Sequence, residues 1–104
     1  MTNLRIHRLA VAEIDHEVDY YESRQPGLGT ELEDEIDAAF ALIGSFPEAA
    51  PPWRDRNDRR VTRLDRFPFS IPYQLAGQDI VILAFAHTSR RPGYWARRSI
   101  DTAG

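Results

Sequence analysis

The chain has 104 residues, 42% of them hydrophobic, and a net charge of −3. That length suits one domain over residues 1–104, burying roughly 65% of its unfolded surface. It contains no cysteine, which excludes disulfides, thiolate chemistry and cysteine-based zinc sites, and its negative charge argues against a general nucleic-acid binder.

The charge is unevenly divided. Residues 1–50 carry eleven acidic side chains against three arginines, while residues 51–104 carry five against ten. All thirteen basic residues are arginine, so no lysine amine is available as an acid, a base or a Schiff-base nucleophile. The N-terminus, Met-Thr-Asn-Leu-Arg-Ile-His, shows no signal peptide, and the longest apolar run is far too short to cross a bilayer. A cytoplasmic location without membrane association is expected. His7, His16 and His87 lack metal-ligand spacing, so neither a metal nor another cofactor is expected.

Residues 3–9 alternate, with Leu4 and Ile6 on one side, and read as a short strand. From Val11 the period changes: Val11, Ile14, Val18 and Tyr21 make an apolar stripe on a helix ending near Arg24. Glu13/Glu17 and Asp15/Asp19 are like-charge pairs one turn apart, and give the helix an acidic outer surface. Gln25-Pro26-Gly27-Leu28-Gly29 breaks the pattern. Thr30 with Glu33 forms a candidate capping box for a second helix. Leu32, Ile36, Ala39, Phe40 and Ile43 are its buried face, and Gly44-Ser45-Phe46-Pro47 ends it. The short connection implies an antiparallel helical hairpin.

Residues 48–58 read as a loop, with Trp53 expected to cover one end of the core. Val61–Leu64 and Phe67–Leu75 read as strands, the second with Phe69, Ile71, Tyr73 and Leu75 on one face. Pro72 has no N–H for a ladder and requires an edge or a bulge. After a turn at Ala76-Gly77-Gln78-Asp79, the run Ile80–Ala86 has no polar face and reads as a central strand covered on both sides. The order is β-α-α-β-β-β, a helical hairpin packed on a small, mainly antiparallel sheet in an α+β domain.

That last strand delivers His87, Arg90, Arg91, Tyr94, Trp95, Arg97 and Arg98 in quick succession. A basic, aromatic ledge on a rigid support suits either an anion-handling active site or a protein partner. Guanidinium forks fit phosphates, and would stabilise charge in phosphodiester cleavage, but they fit carboxylates equally well. Arg60, Arg63 and Arg66 could join the ledge across the sheet. His87 is a candidate acid or base or a backbone-bonded structural residue. Tyr94 could transfer a proton or stack on a base. Trp95 suits an anchor for the C-terminal tail.

Taken in order, these motifs resemble the RelE/ParE superfamily of type II toxin–antitoxin toxins, closest to the ParE-like, plasmid-stabilisation branch. The resemblance rests on Ala12-Glu13-Ile14, Tyr20-Tyr21, Pro26-Gly27-Leu28-Gly29, Phe46-Pro47, Arg60, and Arg66-Phe67-Pro68-Phe69-Ser70-Ile71 with Tyr73. Leu83-Ala84-Phe85-Ala86-His87, then Arg90, Pro92, Tyr94, Trp95 and Arg98, complete it over nearly the whole chain. It implies a toxin neutralised by a tight cognate antitoxin, which alone would contact operator DNA. The ParE-like branch implies inhibition of DNA gyrase without a catalytic centre, with Arg90, Arg91, Tyr94, Trp95, Arg98 and Tyr73 as partner-binding candidates. The RelE-like alternative implies mRNA cleavage on the ribosome, with Arg60, Arg66, Arg90, Tyr94 and His87 as the catalytic candidates. The absence of lysine, the negative charge and the Pro-Gly-Tyr-Trp ending favour the ParE-like branch.

Overall fold

The computed structural model describes residues 3–104. Its elements are β1 (Asn3–Ile6), α1 (Arg8–Arg24), α2 (Leu28–Ser45), β2 (Pro52–Trp53), β3 (Arg56–Arg63), β4 (Phe69–Ala76), β5 (Asp79–Ile82), β6 (Ala86–His87) and a closing 3-10 turn, Ile100–Thr102. The strands form one sheet in the order β1-β5-β4-β3-β2, with β6 also on β4. Among the described residues only the β1–β5 pairing is parallel. The expected α+β hairpin-on-sheet architecture is present, with two short strands added.

Both faces of the sheet are covered. On one, Leu32, Ile36 and Ile43 of α2 and Ala10 of α1 pack on Phe69, Ile71, Tyr73, Ile80, Ile82 and Phe85. On the other, Val81, Leu83, Ala84 and Ala86 pack under Trp95 of the C-terminal tail. Residues 80–86 are therefore buried throughout, as their lack of a polar face predicts, but they are not one strand. Tyr73 pairs with Ile82 and Ser70 with Ala86, leaving three residues, Leu83–Phe85, opposite two. This is a bulge of one extra residue. Pro72 sits opposite it in a central strand, and its carbonyl accepts from Leu83 N–H at 2.8 Å. The N–H and C=O of an antiparallel residue point to the same side, so the proline nitrogen faces the interruption and removes no regular ladder bond.

The helix starts differ from the sequence expectation. α1 begins at Arg8, not Val11, because His7 caps it: Nδ1 accepts from Leu9 N–H at 3.1 Å. Ala10 takes the buried position and Val11 is exposed, so the core stripe is Ala10, Ile14, Val18 and Tyr21. α2 begins at Leu28, and Thr30 lies inside it. The cap comes from the neighbouring helix: the Glu22 carboxylate accepts from the N–H groups of Gly27 and Gly29 at 2.9 and 3.0 Å. A negative side chain there also complements the helix dipole. A Cβ on Gly29 would lie 2.9 Å from Val18 O and Glu22 Cβ, so this glycine permits the close approach of the two helices.

β3 starts at Arg56, five residues before the expected Val61. The polar run Arg56-Asn57-Asp58-Arg59-Arg60 hides it, because the strand gains its partners from β4 and from β2, within the expected loop. β4 begins at Phe69 rather than Phe67. Leu64 and Phe67 are buried in the connection that precedes it.

Candidate functional site

The C-terminal tail crosses the second face of the sheet and is tethered by side chains from beneath it. Arg59 of β3, almost wholly buried, donates from Nη1 to the carbonyls of Arg98 and Ala96 at 2.9 and 3.4 Å. Gln74 of β4 accepts from Ile100 N–H at 2.8 Å. His7, also buried, meets the Thr102 hydroxyl through Nε2 at 3.0 Å. Burial, then the positive charges of Arg98 and Arg8, lower the imidazole pKa below its ordinary value against an opposing pull from Glu13.

The tail is tied most heavily to Glu13 of α1. Its carboxylate accepts from Arg98 Nη1 and Nη2 at 2.9 and 3.1 Å, from Tyr94 OH at 2.8 Å and from Phe85 N–H at 3.0 Å. Arg98 Nη1 also donates to Leu83 O at 3.0 Å. The bulge explains why this knot lies here. β1 pairs with β5 only as far as Ile82, after which the chain turns into α1. The freed backbone of Leu83 and Phe85 then has no strand partner on that side, and the Glu13–Arg98 pair fills its hydrogen-bonding needs. Glu13 therefore does not belong to the acidic outer surface expected of it, unlike Asp15 and Asp19, which are exposed.

Tyr94 is enclosed by the same arrangement. Arg90 lies over its ring at 3.8 Å and Arg98 at 5.2 Å. Burial, followed by the hydrogen bond to Glu13, pushes its phenol well above the ordinary range. Trp95 is buried against Trp53, ring centres 4.7 Å apart. Gly93, at φ 77°, brings the backbone onto Trp53, where a Cβ would lie 2.9 Å from the indole.

The other candidate residues are spread over the molecule. Arg60 shares the helix-covered face with Tyr73, directly opposite it, and donates to the carbonyls of Glu48 and Ala50 at 3.0 and 2.8 Å. Tyr73 is buried, its hydroxyl donating to Pro47 O at 2.7 Å. Arg66 pairs on the surface with Glu35 and Glu31 at 3.1 and 3.4 Å. The Arg66 backbone N–H, with help from its guanidinium, holds the Glu35 carboxyl below its usual range. His87 Nδ1 meets Ser89 N and Oγ at 3.0 and 2.7 Å. Arg90, Tyr94 and Arg98 thus come together, with His87 and Arg91 on the same concavity as Arg90 and Tyr94. Arg60, Arg66 and Tyr73 do not join them. Sequence reasoning missed Arg59 in a charged run read as loop, and assigned Glu13 to solvent although it precedes the core residue Ile14.

Two concavities meet at the outer edge of β3. One, of about 460 Å³, lies between the C-terminal half of α2 and β3 and is mainly apolar, lined by Ala38, Leu42, Phe46, Ala50 and Leu64 among others, with Glu35, Arg63 and Asp65 also on its wall. Leu42 and Phe46 on its rim are each 63% exposed. The other, of about 250 Å³, carries Arg63, Arg90 and Arg91 over Trp53, Tyr94 and Trp95. Among the described residues no cluster of His, Cys, Asp or Glu could hold a metal ion, and no helix is long and apolar enough to cross a membrane.

Residues 4–92 match the family of ParE toxins of the type II toxin–antitoxin system parDE. The chain belongs to the ParE toxin family. A solved structure of the chromosomal ParDE toxin–antitoxin (TA) system from P. aeruginosa shares its fold, with a TM-score of 0.71 and 25% sequence identity over 84% of this chain and 96% of that one. No curated protein matches. The chain is thus a ParE-type toxin of a type II toxin–antitoxin system.

Proposed function

We propose that this toxin acts by inhibiting DNA gyrase, without catalysis, and is silenced by a cognate antitoxin seated in the apolar groove. The observation that carries the first part is the state of Tyr94. Its hydroxyl donates to Glu13, and the guanidinium groups of Arg90 and Arg98 lie over its ring. Neither proton transfer to RNA nor base stacking suits a side chain so committed. Of the other ribonuclease candidates, Arg90 and His87 share a concavity with Tyr94, but Arg60 and Arg66 are engaged away from it by backbone carbonyls and by α2 carboxylates. A non-catalytic, protein-directed toxin is consistent with that arrangement and with the family.

The groove supports the antitoxin reading. Leu42 and Phe46 expose apolar surface at its rim, where a partner would remove it from water. Beyond Arg60, no strand covers the outer edge of β3 among the described residues, so an extended segment laid there would gain main-chain hydrogen bonds. A stable complex would bury more than about 1,200 Å² in total. Operator DNA would be contacted only through the antitoxin.

The test is a supercoiling assay with purified gyrase, toxin, and the small protein encoded beside it. The toxin should block supercoiling and the neighbour should restore it. Leu42→Asp, at an exposed position with little effect on folding, should keep the block but weaken the rescue. Unimpeded supercoiling would sink the gyrase reading, and full rescue of Leu42→Asp would sink the groove assignment.

A further inference from the structure

We propose that the concavity around Arg63, Arg90 and Arg91 receives a carboxylate-bearing segment of the protein partner that fills the neighbouring groove. The inference rests on the reading of that groove as a partner site and adds the chemistry of the segment beyond it. Arg63 lines both concavities, so a chain leaving the groove across the β3 edge enters the second one directly.

The charge of this concavity is uncompensated. No Asp or Glu lines it. Among the described residues the side chains of Arg63 and Arg91 have no hydrogen-bond or ion-pair partner, and the Arg90 guanidinium has only the ring of Tyr94, although the chain has more acids than bases. Arg90 lies over the Tyr94 ring at 3.8 Å, and Arg54 lies over Trp53 at 4.4 Å beside Gly93. A guanidinium held against a ring is partly ordered before a ligand arrives, and its N–H groups suit two-pronged binding of a carboxylate.

A nucleic acid would present acceptors too, but it fits this concavity less well. Single strands gain affinity by stacking bases on open aromatic faces. Here Tyr94 is covered by Arg90 and Arg98, Trp53 by Arg54 and Trp95, and Trp95 is itself buried. The chain's net charge of −3, much of it on the exposed face of the hairpin, repels a long polyanion but leaves a short acidic segment free to enter.

The probe is a hexapeptide of alternating Glu and Asp, titrated into the full chain at low salt with NMR detection of arginine side-chain and tryptophan indole N–H groups. Expected are shifts at Arg63, Arg90, Arg91 and Trp53. Affinity should fall about threefold to tenfold for each of Arg63→Gln, Arg90→Gln and Arg91→Gln, and stay unchanged for Arg5→Gln on the opposite sheet edge. Absence of shifts, or equal shifts with the Gln/Asn hexapeptide, overturns the proposal. So does tighter binding of a thymidine hexanucleotide that is lost in the same variants. If Leu42→Asp leaves antitoxin rescue intact while the acidic hexapeptide still titrates as expected, the groove reading fails and the carboxylate site stands.

Discussion

Replacing Glu13 with alanine should cost more than any change on the outer face of the helical hairpin. The carboxylate accepts four hydrogen bonds, from Phe85 N–H, Tyr94 OH and two Arg98 nitrogens. Its loss leaves the amide and the phenol unpaired and strands a guanidinium that keeps only Leu83 O. Removing one partner of a fully buried pair costs about 3–5 kcal/mol. Glu13 and Arg98 side chains retain 19% and 15% exposure, so water offsets part of that, and about 2–4 kcal/mol is expected. For a chain of this length the loss corresponds to a Tm lower by about 10–20 °C, read by circular dichroism at neutral pH. Arg98→Met in the Glu13→Ala background should add little, with a coupling of about 1–3 kcal/mol between the two sites. A Tm change for Glu13→Ala below about 4 °C, or strict additivity in the double variant, would refute the knot as the tether of the tail.

Other perturbations probe separate parts of the fold. Gly29→Ala should lower the urea midpoint by the equivalent of about 1–3 kcal/mol, because its Cβ would press on Val18 O and Glu22; an unchanged midpoint would show that the helices can separate cheaply. Burial lowers the pKa of His7 from 6.5, so the unfolded chain binds the extra proton more readily: the neutral ring's stabilisation is present above pH 6.5 and is lost as pH falls. His7→Asn, which keeps a capping side chain, should flatten that acid slope in urea titrations from pH 7 to 5, and an unaltered slope would exclude His7 as its source. Tyr94 carries the opposite sign. Its phenol is raised from 10.0, so its contribution is present below pH 10 and lost as pH rises further; Tyr94→Phe should reduce the alkaline loss, and an identical alkaline limb in the variant would contradict this.

The hairpin and the burial of residues 80–86, though not their break into two strands, are the legible parts of the fold. Leu32, Ile36 and Ile43 keep a helical period because they face one core, and residues 80–86 lack polar side chains because helices cover one face and the tail the other. Legibility fails where polar groups serve structure. Arg56–Arg60 read as loop since no apolar alternation marks a strand whose Arg59 is buried under the tail. Glu22 gives no local sign that it caps the next helix, because the capped N–H groups belong to Gly27 and Gly29 after a reversal of the chain. The cluster of Arg90, Tyr94 and Arg98 is visible as a run of residue types. Its partner Glu13 is not, because it is brought close only by the parallel β1–β5 pairing and the bulge beyond it. Arg60 and Arg66 look equivalent to Arg90 in sequence, yet strand alternation and the position after β3 send them elsewhere.

The proposed action on gyrase without RNA cleavage is tested most directly with a single preparation of the toxin. One preparation should be divided between a gyrase supercoiling reaction and translating ribosomes whose mRNA 5′ ends are mapped. Lost supercoiling with intact mRNA is expected, together with a Tyr94→Phe protein that still blocks gyrase at a temperature where it remains folded. New mRNA ends at the ribosomal A site, abolished by Tyr94→Phe while supercoiling proceeds, would contradict the proposed action.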